Sequence, residues 1–205
     1  VICTEFEYQP WDFRGQDDFR FVNTAQMIMN WMTFENSPTF YWLHALKPLG
    51  NEESLGYSLG FWRKPGDTGT YEVCDQVEEG HWDYNYQNWN AIRGFLKYMP
   101  WDSVRYTVKE DEVRKDQRIM AWKSPEGRLA FALTNRSNEF CFKVDTGLEE
   151  KSFHGYRLTA DCEEEIDLGT KTGGQISTVL DPYTIEFWVQ EAVSYTHLTL
   201  PTTSR

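Results

Sequence analysis

Two carboxylates two residues apart, Glu5 and Glu7, sit in a short β-prone run, Ile2-Cys3-Thr4-Glu5-Phe6-Glu7-Tyr8. Carboxylates delivered where a strand ends can attack or protonate an acetal. Glycoside hydrolysis with retained configuration uses two such groups about 5–5.5 Å apart. Alternate residues of a strand point the same way, so position alone does not choose between Glu5 and Glu7. A second run, Thr39-Phe40-Tyr41-Trp42-Leu43-His44, also ends in polar groups. Trp42 and His44 are expected on one face, the indole flooring a sugar ring while His44 or Lys47 bonds to hydroxyls. Tyr8 and Trp62 are further candidates for substrate contact. Plainer roles fit the same residues: a solvated strand-end Glu5, a core Trp42, a His44 satisfied by a backbone carbonyl.

Other chemistries find less support. His81 and Asp83 lie near Glu78 and Glu79, but no HExxH or Cys/His spacing accompanies them, and a solvated acidic loop accounts for them. Gly56 and Gly60 lack the following Lys-Ser/Thr of a phosphate loop, and there is no G-x-S-x-G elbow. Neither metal nor cofactor is expected.

The elements that must position these residues change character along the chain. From Asp18 to Phe34, apolar Phe21, Val22, Ala25, Ile28, Met29 and Met32 recur at helical spacing, and Asn36-Ser37-Pro38 closes the segment. A strand over Phe40–His44 follows. Lys47 to Asn88 is long and rich in Gly, Pro and aromatics, with one short strand at Tyr57–Trp62; after a barrel strand, it reads as an active-site loop. Trp89, Ile92, Phe95, Leu96 and Met99 mark a second helix, stopped by Pro100. Beyond it the period becomes two, in Val104–Val108, Arg118–Trp122, Leu129–Thr134, Glu139–Val144, Gly155–Ala160, Gln175–Val179 and Thr184–Val189. Seven short strands at close spacing predict an antiparallel β-sandwich. Strand, helix and strand, with reactive side chains at the strand tips, predict the C-terminal part of a (β/α)8 barrel ahead of it.

The expected fold class is therefore α/β plus all-β, beginning in mid-fold. Residues 1–100 would be the last two β/α units of the barrel, and 101–191 the sandwich. Residues 192–205 are read as a non-native tail. Val193-Ser194-Tyr195-Thr196-His197-Leu198-Thr199-Leu200-Pro201-Thr202 translates a transposase sequencing adapter, GTC TCT TAT ACA CAT CTG ACG CTG CCG ACG.

Composition narrows the partners. The formal charge of −12 opposes nucleic acid, whose phosphates need a basic face, and anionic membranes. With 40% hydrophobic residues and no apolar run of membrane-crossing length, a globular chain with a large core is expected. Aromatics make up 16% of it, nine of them Trp, and any beyond the needs of the core can stack on sugars. Cys3, Cys74, Cys141 and Cys162 show no C-x-x-C spacing, and a Cys141–Cys162 pair across the sandwich stays open.

The pattern resembles retaining glycoside hydrolases with a β/α barrel and an appended sandwich. Thr4-Glu5-Phe6 looks like the end of barrel strand seven, and Tyr41-Trp42 like strand eight. Leu180-Asp181-Pro182-Tyr183-Thr184-Ile185-Glu186-Phe187 is similar to the Pro-aromatic closing strand of that group. Trp42-Leu43-His44-Ala45-Leu46-Lys47-Pro48 and Phe95-Leu96-Lys97-Tyr98-Met99-Pro100-Trp101-Asp102-Ser103 look most like glycoside hydrolase family 86, the β-agarases and β-porphyranases; families 30 and 39 share the architecture. The resemblance implies Glu5 as nucleophile in preference to Glu7, and Trp42 as a subsite wall. It places the acid/base Glu on barrel strand four, upstream of Val1. It further implies endo-acting hydrolysis of a β-linked galactan, a polysaccharide or oligosaccharide partner, and a secreted or periplasmic location. The alternatives are a family 30 or 39 exo-glycosidase, or a non-catalytic carbohydrate-binding sandwich.

Overall fold

A computed structural model describes residues 2–6, 17–49, 58–71 and 77–192. Glu7, Tyr8, Cys74 and the 193–205 segment lie outside the described residues.

Helix α1 is Asp17–Phe34. The apolar stripe read from its spacing is its buried face: Phe21, Val22, Ala25 and Ile28 are fully buried and Met29 nearly so. Helix α2 is Tyr86–Tyr98, three residues longer at its start than the sequence suggests. Ala91, Ile92 and Phe95 face inward, whereas Leu96 turns to solvent. Pro100 follows two residues beyond the last helical turn, where a missing N–H ends the ladder.

A two-stranded parallel sheet joins β1 (Cys3–Phe6) to β2 (Phe40–Trp42), with α1 as the crossover. A three-stranded sheet follows in order β3 (Leu46–Pro48), β4 (Gly60–Trp62) and β5 (Trp82–Tyr84). It closes over a small core of Leu49, Phe61, Tyr71 and Val77. The segment read as one long loop with one strand thus carries three strands among its described residues.

The rest is antiparallel. Strands β6 (Val104–Tyr106), β7 (Gln117–Lys123), β8 (Leu129–Asn135), β10 (Ser152–Leu158), β11 (Ile166–Thr172) and β13 (Thr184–Gln190) form one sheet, ordered β11-β10-β13-β8-β7-β6. Strands β9 (Phe140–Asp145) and β12 (Gln175–Leu180) pair separately. Ser124-Pro125-Glu126-Gly127 makes the β7–β8 turn, with Gly127 at φ +82 and its N–H donating to the Ser124 carbonyl at 2.9 Å.

Both faces of the six-stranded sheet are covered. On one, α1 and α2 pack against Met120, Trp122, Ala130, Ala132, Leu158, Ile185 and Phe187. On the other, β9 and β12 supply Phe142, Ile176 and Leu180 against Phe131, Leu133, Phe153 and Trp188. Hence β8 and β13 are buried on both faces and read as near-continuous apolar runs, a pattern associated with sheets covered on both sides.

A buried ionic network ties the two layers together. Glu186 on β13 is fully buried and accepts from Arg157 Nε and Nη2 at 3.0 and 2.7 Å, Thr178 Oγ1 at 2.9 Å and Trp188 Nε1 at 2.9 Å. Each carboxylate oxygen has two donors, which is what lets a charge sit in the interior. Cys141 and Cys162 are both free. Cys141 is on β9, while Cys162 accepts at Sγ from the Thr159 N–H (3.3 Å) and from Asn90 and Arg93 of α2, so the two thiols belong to opposite layers.

Candidate active site

Strand β1 pairs with β2 in parallel, Cys3 opposite Phe40 and Phe6 opposite Trp42, with a register shift between the two pairs. Three residue steps on one strand face two on the other. Strict alternation would turn Glu5 to the side of Cys3, which is buried against the helices. Instead Thr4 and Glu5 are both exposed. The irregularity breaks the alternation at Glu5, which is exposed where strict alternation would bury it beside Cys3. Cys3 Sγ–H donates to the Glu5 carbonyl at 3.5 Å and steadies the bend.

Trp42, on the neighbouring strand, is half-buried and packs by one side against the helix core. Strand β2 ends there, two residues short of the expected Phe40–His44, because the chain turns directly into β3. His44 therefore lies past the strand, and the two-residue alternation that placed it beside Trp42 does not reach it. Its backbone carbonyl accepts the Leu59 N–H at 3.0 Å, anchoring β4 to the tip of β2.

Lys47 and Trp62 share the three-stranded sheet but not a face. The registers Lys47–Phe61–Asp83 and Pro48–Trp62–Trp82 run across it. Phe61 marks the inner face, so Lys47 lies with it, half-buried. Trp62 and Trp82 stand outward. The structure thus brings Glu5 and Trp42 onto adjacent strands and separates Lys47 from Trp62.

Beyond β4 the chain is gathered by Arg63. Its Nη1 donates to the Val77 carbonyl at 3.1 Å, its Nε and Nη2 to that of Asp67 at 3.2 and 3.0 Å, and its Nη2 to that of Gly69 at 2.9 Å. Asp67 in turn accepts from the Gly69 N–H and the Tyr71 hydroxyl, which hold its carboxyl below the usual carboxylate range, the backbone bond foremost. One planar guanidinium with five donors can organise such a loop in a way lysine cannot. No sequence spacing revealed this role.

Among the described residues, no group of three or more His, Cys, Asp or Glu is placed to hold a metal ion.

No family profile and no curated protein matches this sequence. Solved structures do share its fold. The catalytic domain of a glycoside hydrolase family 30 xylanase C from Talaromyces cellulolyticus superposes with a TM-score of 0.67 at 13% identity, over 92% of this chain and 40% of that one. A family 30 subfamily 8 xylanase from Clostridium acetobutylicum gives 0.62 at 13% identity, over 92% and 42%. A family 51 arabinofuranosidase from Xanthomonas axonopodis pv. citri gives 0.59 at 13% identity, over 93% and 41%. The chain shares part of the fold of these structures. The chain spans about two fifths of the length of these structures.

Proposed function

We propose that this chain is the C-terminal part of a retaining glycoside hydrolase, with residues 1–100 completing a (β/α)8 barrel, 101–191 forming its β-sandwich, and 192–205 a non-native tail. The observation that carries the reading is the exposed Glu5 at the irregular end of a strand paired in parallel with that of Trp42, within a fold shared with glycosidases. In this reading a Glu5 carboxylate oxygen attacks the anomeric carbon as the glycosidic C–O bond breaks. An acid on another barrel strand protonates the leaving oxygen. Water then attacks the glycosyl-enzyme, gives its proton to that same residue and frees Glu5. The part of Trp42 not packed on the helices walls a subsite, with His44, Lys47 and Tyr8 as further contacts, while Trp62 lies on the other face of the sheet from Lys47. The polymer is a β-linked galactan of the agarose or porphyran type, on the family 86 resemblance. The family 30 xylanase likeness favours β-xylan as a second reading.

The test needs a longer protein that contains this chain and a complete barrel. There, Glu5→Gln lowers kcat by about 10⁴-fold or more while oligosaccharide binding stays measurable. Product NMR shows the β-anomer first. Full turnover by the Glu5→Gln enzyme removes Glu5 as nucleophile and makes Glu7 the next candidate. The 205-residue chain alone is expected to hydrolyse neither agarose, porphyran, xylan nor aryl glycosides, since losing proton donation costs about 10²–10⁴-fold and losing positioning costs more.

A further inference from the structure

The outer face of the three-stranded sheet has no element over it among the described residues, and it is aromatic. Trp62 on β4 and Trp82 on β5 are directly opposed, which puts both side chains on the same side of the sheet, on strands whose backbones run ~4.8 Å apart. They are 38% and 55% exposed, unusual for a paired set of the largest apolar side chain. Gly60 lies on the same side, two residues before Trp62, so no side chain stands between Leu46 and Tyr84 in that row. Leu46 Cδ1 lies 3.3 Å from where a Gly60 Cβ would stand and covers that place in the row.

Trp82 is braced by a neighbouring ring. Tyr84 meets the edge of Trp82 at 5.0 Å and 84°, and stacks on Trp89 of α2 at 4.8 Å and 12°. Through Tyr84 and Trp89 the face runs into a groove of about 450 Å³, whose far wall is Glu163, Glu164 and Glu165. The cations there are already engaged: Arg93 with the Glu163 carbonyl at 2.7 Å, Lys97 with the Glu165 carboxylate at 2.6 Å. The Glu163 and Glu164 carboxylates are exposed and make no hydrogen bond among the described residues.

We propose that this face and groove bind a neutral oligosaccharide chain, the sugar C–H faces lying on Trp82 and Trp62 and the hydroxyls donating to Glu163 and Glu164. Flat exposed rings match the apolar faces of pyranoses, and free carboxylates are acceptors that match hydroxyl donors. The spare charge in the groove is negative, as is the whole chain at −12, so a uronate or sulfated chain is repelled. An anionic lipid or nucleic acid is refused on the same ground. The inference goes beyond the catalytic reading and does not need Glu5 or turnover.

Intrinsic fluorescence and calorimetric titration of the 205-residue chain with xylohexaose, neoagarohexaose and hexagalacturonate test it. Saturable binding of at least one neutral hexamer is expected, with hexagalacturonate at least about tenfold weaker. Trp82→Ala should weaken binding about tenfold or more, and Glu163→Gln/Glu164→Gln together should weaken it and narrow the gap to hexagalacturonate. Trp101→Ala is the control, since Trp101 is 78% exposed but lines a different cavity. Far-UV circular dichroism checks that each variant is folded, and Trp62→Ala replaces any that is not. No binding of either neutral hexamer by the folded wild type overturns the proposal, as does wild-type affinity in Trp82→Ala. So does a concentration-dependent dimer that Trp82→Ala dissociates, which would make the face a contact between copies of the chain.

Discussion

Tyr98 donates its hydroxyl to Glu165 Oε2 at 2.6 Å, stacks on Tyr156 at 5.0 Å and touches Phe187. Burial first, then the neighbouring carboxylate, pushes the phenol's pKa well above its ordinary value. The folded chain therefore holds a proton that the unfolded chain releases near pH 10. The stabilisation is complete below that value and is lost as pH rises above it toward the folded pKa. Tyr98→Phe should cost about 1.5–3 kcal/mol at pH 8, the worth of a hydrogen bond to a carboxylate. In urea titrations from pH 8 to 11 the gap between the two proteins should close above pH 10; parallel profiles would remove the phenol as the cause. Asp167 shows the opposite sign. The Gly169 N–H, and after it His154, lower its carboxyl pKa, so whatever it contributes fades only in acid.

At the scale of elements, α2 sits on β13 through a glycine. A Cβ built on Gly94 would lie 2.1 Å from the Phe187 ring. Alanine there gains about 1 kcal/mol of helix propensity, but overpacking costs about 1–3 kcal/mol, and at so short a distance the clash should win. Gly94→Ala is expected to lower Tm, and Phe187→Leu to relieve part of the loss in a double-mutant cycle. Between the sheets, Glu186→Ala leaves Arg157 paired with Asp181 at 2.8 Å but takes the acceptor from Thr178 Oγ1 and Trp188 Nε1. It should cost about 1–3 kcal/mol for each buried donor left without a partner, and Glu186→Gln clearly less. These elements were unequally legible in the sequence. Helix α1 and strands β7, β9 and β12 were visible through the period that one-sided burial imposes, and β8 and β13 through the near-continuous apolar runs of strands buried on both faces. Strand β11 was not: it is a polar edge strand broken by Gly169 at φ +72, so no face of it is written in apolar residues. Strands β3 and β5, three residues each, are too short to show a period. The exposure of Glu5 beside a buried Cys3 was invisible for another reason, since it depends on a register irregularity that alternation cannot express. The Trp82-Asp83-Tyr84 alternation was the available signal for the aromatic face.

The whole molecule is organised around one sheet with a core on each side. Trp122 is fully buried against the helices and Trp188 against β9 and β12, yet their strands, β7 and β13, both pair with β8. Removing the helices would bare Met120, Ala132 and Phe187 to water; removing β9 and β12 would bare Phe131 and Leu133 from the same strand β8. Neither layer can leave without exposing apolar surface on strands the other needs, at about 25 cal/mol per Å². Residues on either side of position 100 should therefore unfold together, although the sequence pattern changes there. Hydrogen exchange resolved by segment, in increasing urea, tests this. Amides of α1, α2, β8, β12 and β13 should converge on one opening free energy with one denaturant dependence. The three-stranded sheet, with its separate four-residue core of Leu49, Phe61, Tyr71 and Val77, should open below that value. If α1 and α2 instead exchange as a group well before β8 and β13, the sheet is stable without its helical face and the two stretches fold independently.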